Sequence, residues 1–251
     1  MRPIVLLHGW AMDGRVFHDA RMRLGSRFDC HAPDLPGHGL CPHPAPDIDT
    51  AADALHRLLD EAGLRGAVVV GWSMGATVAW RCLARHGAAR IGGLVSVDMS
   101  PRLVNDSGWR LGLRGLDAAG SRRQADWFRH DWRGATALIA AGMYADPLRT
   151  CPLVPSATVR ERLLSCDATA MAHLWLSLCE ADERAGIARL AVPMLVLHGR
   201  HSGLYRPGVA HWLEETAPHA RRQEFALSGH SPHLEEPAAF AEAVAGFADA
   251  I

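Results

Sequence analysis

Short apolar runs alternate along the chain with longer segments in which apolar residues recur at helical spacing. Four of these runs contain no alternating polar residues and predict strands buried on both faces of a sheet: residues 4–7, 67–70, 94–97 and 194–197. Helical stripes lie between and after them, formed by Leu55, Leu58, Leu59 and Ala62, and by Phe240, Val244, Phe247 and Ile251. The alternation predicts an α/β fold in which a mostly parallel central sheet is flanked by helices on both faces.

The strand pattern is interrupted between residues 101 and 186. This segment contains helical-looking pieces and four tryptophans: Trp109, Trp127, Trp132 and Trp175. An insertion between two strands of a parallel sheet, lying over the carboxyl edge, covers the place where open α/β sheets bind ligands. The pattern therefore predicts a core formed by residues 1–100 and 187–251 and a helical cap (lid) formed by residues 101–186.

Composition and charge exclude several classes of function. The chain has 251 residues and a formal net charge of -1, so it has no strong field that would attract nucleic acid or an anionic membrane. The first apolar run is too short for a signal peptide or a membrane span. The cysteines show neither CxxC pairs nor metal-finger spacing, which indicates free thiols in a reducing compartment, the cytoplasm. They are Cys30, Cys41, Cys82, Cys151, Cys166 and Cys179.

A G-x-S-x-G motif follows the second predicted strand, at Gly71, Ser73 and Gly75. An apolar strand precedes it and a helix-compatible run follows it, which is the context that a nucleophile elbow requires. In such a turn the Ser73 hydroxyl lies at the amino end of a helix, where the helix dipole favours negative charge. The alternative is an ordinary glycine-rich turn between a strand and a helix.

A weak hydroxyl nucleophile needs a neighbouring base, and neutral imidazole is suited to this role near pH 7. His230 lies in a loop after the last apolar run and before the final helical stripe, and it is the predicted base; His233 is the competing candidate. An oxyanion site needs two backbone N–H groups, for which Trp10 and Met74 are the candidates. Gly9 would permit close approach there, and we expect His8 to brace the loop.

Four segments together resemble the α/β-hydrolase superfamily along nearly the whole chain. They are H-G-W at residues 8–10, D-L-P-G-H-G at 34–39, G-W-S-M-G at 71–75 and S-G-H-S-P-H at 228–233. The combination of Trp10 and Trp72 is most similar to the BioH-like carboxylesterases, the pimeloyl-acyl-carrier-protein methyl ester esterase branch. The resemblance implies an α/β-hydrolase fold, triad roles for Ser73 and His230, and an oxyanion hole at Trp10 and Met74. It makes residues 34–39 a structural turn.

The chain departs from the family pattern at the triad acid. Most members carry an aspartate in a Gly-x-x-Asp turn after the strand that follows the cap, whereas this turn ends in Ser202. Asp98 directly follows the preceding predicted strand, and some superfamily members carry the acid there. We therefore predict Asp98 as the acid, displaced to the preceding strand. The alternatives are that Asp98 caps the next segment, that Ser202 orients the base, or that Glu235 does.

The sequence thus predicts a serine carboxylic-ester hydrolase that forms an acyl-enzyme and needs no metal or organic cofactor. We expect small or medium acyl esters as substrates, bound by Trp10, Trp72, Trp109 and Trp127. An ester presented on an acyl carrier protein is the alternative, for which the cap offers Arg110, Arg114, Arg122, Arg123 and Arg129, although solvated helix faces also explain them.

Other reactions on the same frame are hydrolysis of coenzyme A thioesters, lactones or carbon–carbon bonds, and cofactor-free haloperoxidation. A non-catalytic receptor for a small ligand is the alternative from another class, and the absence of an acid at Ser202 is the feature that favours it. We expect a monomer or a homodimer that binds neither nucleic acid nor membrane.

Overall fold

The strands form a single parallel sheet. The computed structural model describes residues 1–145 and 152–251, so the thiol predicted to be free at Cys151 lies outside the described residues. The spatial order of the strands is β2–β1–β3–β4–β5–β6. They are β1 (Arg2–Leu7), β2 (Phe28–His31), β3 (Ala67–Trp72), β4 (Ile91–Val97), β5 (Met194–Gly199) and β6 (Ala220–Phe225). All neighbouring pairs run parallel, and the predicted α/β fold is confirmed.

Helices flank the sheet, with α1 packed against α11 and α2 packed against α3. The longer ones are α1 (His18–Leu24), α2 (Ile48–Glu61), α3 (Met74–His86), α4 (Ala118–His130), α5 (Trp132–Gly142), α6 (Ser156–Leu164), α7 (Ala168–Glu180), α9 (Gly208–Thr216) and α11 (Pro237–Ala250). Two single turns, α8 (Arg184–Ile187) and α10 (Pro232–Glu235), complete the α-helices of the described residues. Short 3-10 helices span Gly14–Phe17 and Gly25–Arg27. No helix among the described residues is long and apolar enough to cross a membrane.

The four predicted strands are the four inner strands of the sheet, β1, β3, β4 and β5. An inner strand of a sheet covered on both faces is buried on both sides, so it is continuously apolar. The pattern missed the two edge strands, because each pairs on one side only and neither is a continuous apolar run. The middle of β6 consists of Arg221, Arg222, Gln223 and Glu224, which are all exposed.

Helices α4, α5, α6 and α7 lie between β4 and β5 along the chain. Helix α4 packs on α7, and α5 packs on α6. Aspartates cap three of them. Asp117 before α4, Asp131 before α5 and Asp167 before α7 each accept an N–H group from the first turn of the helix. Such caps satisfy N–H groups that have no partner within the helix. From Ala118 onward, the described part of this segment is therefore mostly helical.

Two buried histidines, His8 and His38, hold the loop that follows β1. The Nε2 atom of His8 accepts the Leu35 N–H at 2.9 Å, and its Nδ1 lies 2.9 Å from the carbonyl oxygen of the next residue. The Nε2 atom of His38 accepts the Ala11 N–H at 3.0 Å, and its Nδ1 donates to the Pro36 carbonyl at 3.1 Å. Each ring uses one nitrogen as acceptor, so both rings are neutral. Burial lowers the pKa of His8 and lowers the pKa of His38 to about 3.

A third histidine, His233 on α10, has no hydrogen-bond partner for either ring nitrogen within the described residues. Its ring lies against the rings of Phe17, Trp72 and Phe240, at centroid distances of 4.9, 4.6 and 5.8 Å. Burial, together with the nearby His230, lowers the pKa of His233 to about 3. The aromatic surroundings therefore hold this side chain in its neutral form.

We expect the protein to lose stability as the pH falls from 7 to 4.5. In the unfolded chain the three histidines take up protons near pH 6.5, whereas in the folded protein they stay neutral to lower pH. The unfolded state then binds more protons, so the free energy of unfolding decreases by up to about 1.4 kcal/mol per pH unit for each histidine. Urea unfolding at pH 7, 5.5 and 4.5 measures this decrease.

The matched control is His233→Leu, which removes one of these groups without removing a hydrogen bond seen among the described residues. Between pH 6 and 4.5 the free energy of unfolding should decrease less steeply with falling pH in this variant, because unfolding takes up about one proton fewer. An identical pH dependence in the two proteins would contradict the assignment of His233 as a group that stays neutral when folded.

Candidate active site

Ser73 lies at a sharp turn between β3 and α3. Its backbone angles are φ 53° and ψ −125°, a conformation that residues other than glycine rarely adopt. Its N–H donates to the Val97 carbonyl at 2.9 Å, so the turn is tied to the end of β4. Helix α3 begins at the next residue, Met74. The N–H of Met74 is in the first turn of the helix, where N–H groups have no acceptor within the helix.

Two glycines make this turn possible. A Cβ atom at Gly71 would lie 2.4 Å from backbone atoms of Gly75 and Ala76, and one at Gly75 would lie 2.3 Å from the Leu7 carbonyl oxygen. These contacts are with backbone, which cannot move aside, so any side chain at either position would displace the turn. The strand–turn–helix geometry predicted for G-x-S-x-G is present, and it leaves Ser73 partly exposed.

Asp98 and His230 form a buried pair. Asp98 directly follows β4, has φ 45°, and its N–H donates to the Leu197 carbonyl of β5 at 2.8 Å. Its Oδ2 lies 2.7 Å from Nδ1 of His230, and the two side chains are 3% and 5% exposed. A carboxylate can only accept here, so Nδ1 carries the proton and Nε2 is the basic nitrogen. The structure thus brings together two of the predicted catalytic residues, which are 132 positions apart.

Ser202 is the third member of this buried cluster. Its hydroxyl donates to the same Oδ2 atom of Asp98 at 2.7 Å. The N–H groups of Leu204 and Tyr205 donate to the Ser202 oxygen at 3.3 and 3.2 Å. The position at which the family pattern predicts an aspartate therefore holds a hydroxyl that contacts the Asp98 carboxylate.

The remaining candidate for the acid, Glu235, has a different environment. Its carboxylate accepts the N–H groups of Ala145, Gly229 and Ser231 at 2.7, 2.9 and 3.1 Å. These bonds clamp the loop on both sides of His230. Glu235 therefore shapes the loop that carries the predicted base, a role that the sequence did not indicate.

Trp72 connects the serine turn to the histidine loop. Its indole N–H donates to the His230 carbonyl oxygen at 2.9 Å, and the two rings lie 5.4 Å apart. The side chain is buried. Because Trp72 immediately precedes Ser73, this contact fixes the distance between the segments that carry the predicted nucleophile and base.

A cavity of about 340 Å³ opens beside Ser73 and His230. Its walls are mostly apolar, and aromatic rings from the loop after β1, from α4 and from α7 dominate them: Trp10, Trp127, Phe128 and Trp175. The indole N–H groups of Trp10 and Trp175 donate to the carbonyls of Met171 and Ser121, each at 3.1 Å. Both rings therefore satisfy their polar atom in the protein and offer apolar surface to the cavity.

Trp109 lies elsewhere, which corrects its assignment to the substrate-binding residues. Its ring packs edge-on against Trp212 at 5.2 Å, Arg184 lies over it at 5.0 Å, and its N–H donates to the Arg102 carbonyl. The other three predicted tryptophans, Trp10, Trp72 and Trp127, do line the cavity. Helical spacing alone did not reveal which tryptophans share a face with the cavity.

Sequence reasoning missed several residues of the cavity wall, two of them on α4. Gln124 and Phe128 line it together with Trp127. Trp127 and Phe128 lie three and four positions after Gln124 on α4, the spacing that places side chains on the same helix face as Gln124. This spacing is the sequence signal from which Gln124 and Phe128 could have been predicted as cavity residues.

Apart from the serine and histidine, few polar side chains line the cavity. Gln124 is one, and Tyr205 is another, although its hydroxyl already contacts the Met99 sulfur at 3.1 Å. No Asp, Glu or Arg side chain of the described residues is part of the wall. Residues 1–145 and 152–251 also contain no cluster of three or more metal-binding side chains.

The arginines predicted for acyl-carrier-protein binding differ in their surroundings. Arg114 donates to the carbonyls of Ser202 and Tyr205, so it supports the loop next to Asp98. Arg129 pairs with Asp126 on α4. The others, Arg110, Arg122 and Arg123, are exposed.

Comparison with known proteins places this chain in a family. The model of the alpha/beta hydrolase family matches residues 4–243. Pimeloyl-[acyl-carrier protein] methyl ester esterase from Vibrio cholerae serotype O1 is 33% identical over 249 residues, covering 98% of this chain and 94% of that protein. The protein of the same name from Chromobacterium violaceum is 32% identical over 251 residues, covering 96% of this chain and 92% of its own length.

A solved structure agrees with these relatives on the fold. The esterase EaEST from Exiguobacterium antarcticum superposes with a TM-score of 0.90 at 21% identity, covering 99% of this chain and 92% of that one. The resemblance to the pimeloyl-acyl-carrier-protein methyl ester esterase branch is confirmed by the full-length relatives. With the family model and these relatives matching almost its whole length, the chain belongs to the alpha/beta hydrolase family.

Proposed function

We propose that this chain is a serine carboxylic-ester hydrolase with Ser73 as nucleophile, His230 as general base and Asp98 as the acid that orients the base. The observation that carries the proposal is the buried 2.7 Å contact between Asp98 and His230 beside a cavity that also exposes Ser73. A neutral imidazole whose Nδ1 proton is bound by a carboxylate has its Nε2 free to accept the serine proton. Esterases among the relatives support the reaction class.

The reaction takes place in two steps. The Ser73 oxygen attacks the ester carbonyl while His230 Nε2 accepts the hydroxyl proton, and the resulting oxyanion collapses as His230 protonates the departing alcohol. Water then attacks the acyl-enzyme, again giving a proton to His230, which returns it to the Ser73 oxygen as the carboxylic acid leaves. Asp98 stabilises the imidazolium that forms in each step.

The oxyanion is bound by the N–H groups of Met74 and Trp10. Met74 begins α3, so its N–H is free of intrahelical partners and lies at the positive end of the helix dipole. The loop that carries Trp10 is held by the bond from the Ala11 N–H to His38. Fixed donors at this place stabilise the developing negative charge without reorganising.

Helices α4 to α7 act as the cap in this proposal, and residues 101–186 form it over the core of residues 1–100 and 187–251. Trp127 and Phe128 of α4 and Trp175 of α7 supply the apolar wall that faces Ser73. A wall of this kind binds an uncharged acyl chain of small or medium length, since apolar contact is its main interaction. The free thiols of the described residues support the cytoplasm as the compartment.

An ester carried by an acyl carrier protein is the second candidate substrate. The full-length relatives are named for such a substrate. Arg122 and Arg123 are exposed on α4, close along the helix to Gln124 in the cavity wall, and could bind a phosphopantetheine or carboxylate group of such a substrate. A kcat/KM at least 100-fold higher for the carrier-bound methyl ester than for the free ester would favour this substrate; equal values would favour the general esterase.

We expect Asp98→Asn to slow hydrolysis of p-nitrophenyl butyrate by about 10²- to 10⁴-fold, the usual loss when the residue that orients a catalytic histidine is removed. Ser73→Ala should reduce turnover to background. Burst and steady-state kinetics measure both effects, with circular dichroism as the folding control. Glu214→Gln, on α9 and paired with Arg222 at the surface, is a matched carboxylate control that should remain fully active.

The result that contradicts this assignment is a folded Asp98→Asn variant with near wild-type turnover. A wild-type protein that binds esters tightly and does not turn them over would instead indicate the non-catalytic receptor.

We expect the enzyme to hydrolyse one ester group of dimethyl pimelate and then to stop. The monomethyl product carries a carboxylate on its acyl arm, and the described cavity wall contains no cation to bind it. Desolvating that charge should lower kcat/KM by at least about tenfold relative to the diester. Chromatography of the products measures the accumulation of the monoester.

Methyl heptanoate, which has the same acyl length and no carboxylate, is the matched control and should be hydrolysed readily. Equal rates for monomethyl pimelate and methyl heptanoate would show that the acyl arm does not enter this apolar cavity.

A further inference from the structure

We propose that Ser202 is a positioning residue of the catalytic apparatus: its hydroxyl holds the Asp98 carboxylate and sets how strongly that carboxylate stabilises protonated His230. This inference rests on the proposed function. Its basis is the single oxygen, Asp98 Oδ2, that accepts a 2.7 Å hydrogen bond from each of the other two residues. All three residues are buried, with Ser202 7% exposed.

The direction of each hydrogen bond follows from the groups present. The N–H groups of Leu204 and Tyr205 can only donate, and both donate to the Ser202 oxygen. The Ser202 proton is therefore available for the Asp98 carboxylate, which can only accept. Two donors on the hydroxyl oxygen polarise the O–H bond and strengthen the bond that it makes.

Two hydrogen bonds on one carboxylate oxygen compete with each other. The hydrogen bond from the Ser202 hydroxyl reduces the negative charge on Asp98 Oδ2, so this oxygen attracts the Nδ1 proton of His230 less strongly. Removing the hydroxyl leaves the oxygen more negative, so it binds the imidazolium more strongly and the proton is retained to higher pH. The Ser202 hydroxyl therefore makes protonated His230 release its proton more readily, and it also fixes the Asp98 carboxylate in one orientation.

The fold explains why these two strand ends meet. Strands β4 and β5 pair in register, with Val97 opposite Leu197, so the residues that follow them lie at the same edge of the sheet. The Asp98 N–H donates to the Leu197 carbonyl, and the Ser202 N–H closes a turn on the Gly199 carbonyl. Arg114 further fixes this turn by binding the carbonyl of Ser202.

The alternative is that Ser202 only closes its turn by accepting amide protons. In that case its removal would lower stability and leave the pH dependence of catalysis unchanged. The two roles can be separated by the pH dependence of catalysis, because only the positioning role changes how strongly Asp98 binds protonated His230.

Burial lowers the pKa of His198 on β5 and lowers that of His233 to about 3, while it raises the pKa of the Tyr205 hydroxyl. These three groups are therefore uncharged near neutral pH. Glu235 is bound by backbone N–H groups, and Arg114 is bound to backbone carbonyls. The acidic limb of the rate profile then reports the protonation of His230.

The test compares the pH profile of kcat/KM for p-nitrophenyl butyrate in wild type, Ser202→Ala and Ser202→Thr. In Ser202→Ala the midpoint of the acidic limb should move to higher pH by at least a few tenths of a unit. Its maximal kcat should fall by roughly three- to tenfold, because the carboxylate loses the hydrogen bond that fixes its orientation. KM should stay unchanged, because Ser202 is not part of the cavity wall. Ser202→Thr keeps the hydroxyl and should restore both the midpoint and the maximal kcat.

A Ser202→Ala profile that superimposes on the wild type, with equal kcat, would overturn the inference. Should Ser202→Ala fail to fold, the exchange of the two side chains decides instead. The double variant Asp98→Ser with Ser202→Asp places the carboxylate on the other strand end, and it should be at least about tenfold more active than Asp98→Ser alone. A double variant no better than the single one would also overturn the inference.

A readout without substrate separates failure of this inference from failure of the proposed function. The low-field proton NMR signal of the Nδ1–H bond between His230 and Asp98 should move downfield in Ser202→Ala, since the remaining bond to Oδ2 strengthens. An inactive wild type with this shift would reject the proposed esterase and keep the positioning role. An active wild type without the shift and without the change in pH profile would reject the positioning role alone.

Discussion

Backbone hydrogen bonds at the carboxyl edge of the sheet hold the site in register. The Ser73 N–H donates to the Val97 carbonyl at the end of β4, and the Asp98 N–H donates to the Leu197 carbonyl of β5. Each residue thus extends the pairing of the sheet by one step past its own strand. Ser73 and Asp98 are therefore positioned by the sheet itself, whereas the loop that carries His230 is held by Glu235 of α10 and by the Trp72 indole.

Two features of this arrangement destabilise the folded protein. Ser73 and Asp98 both have positive φ, a conformation that costs roughly 1–3 kcal/mol in residues other than glycine. Asp98 is also buried, and a buried carboxylate without partners is strongly destabilising. The donors on its Oδ2, from His230 and Ser202, satisfy the charge. The hydrogen bond from His230 therefore both compensates for the burial of the Asp98 carboxylate and connects Asp98 to the proposed base.

The inner part of the fold could be predicted from the sequence, because strands covered on both faces are continuously apolar. The edge strands could not, since β2 has only four residues and β6 exposes four polar residues in a row. Helix stripes showed that residues 101–186 contain helices, but they did not show which face of a helix meets the cavity. Trp109 packs against Trp212, whereas Trp127 lines the cavity.

By itself the sequence determined what depends on neighbouring residues: the inner strands, the glycines that permit the turn at Ser73, and the loop that carries His230. It also placed Asp98 at a strand end, and it left Ser202 and Glu235 open as alternatives. Only the tertiary structure decided that Asp98 lies between His230 and Ser202, and that Glu235 clamps the histidine loop. The reason is physical: turns and periodicity are local properties of a chain, whereas contacts between strand ends depend on the register in which distant strands pair.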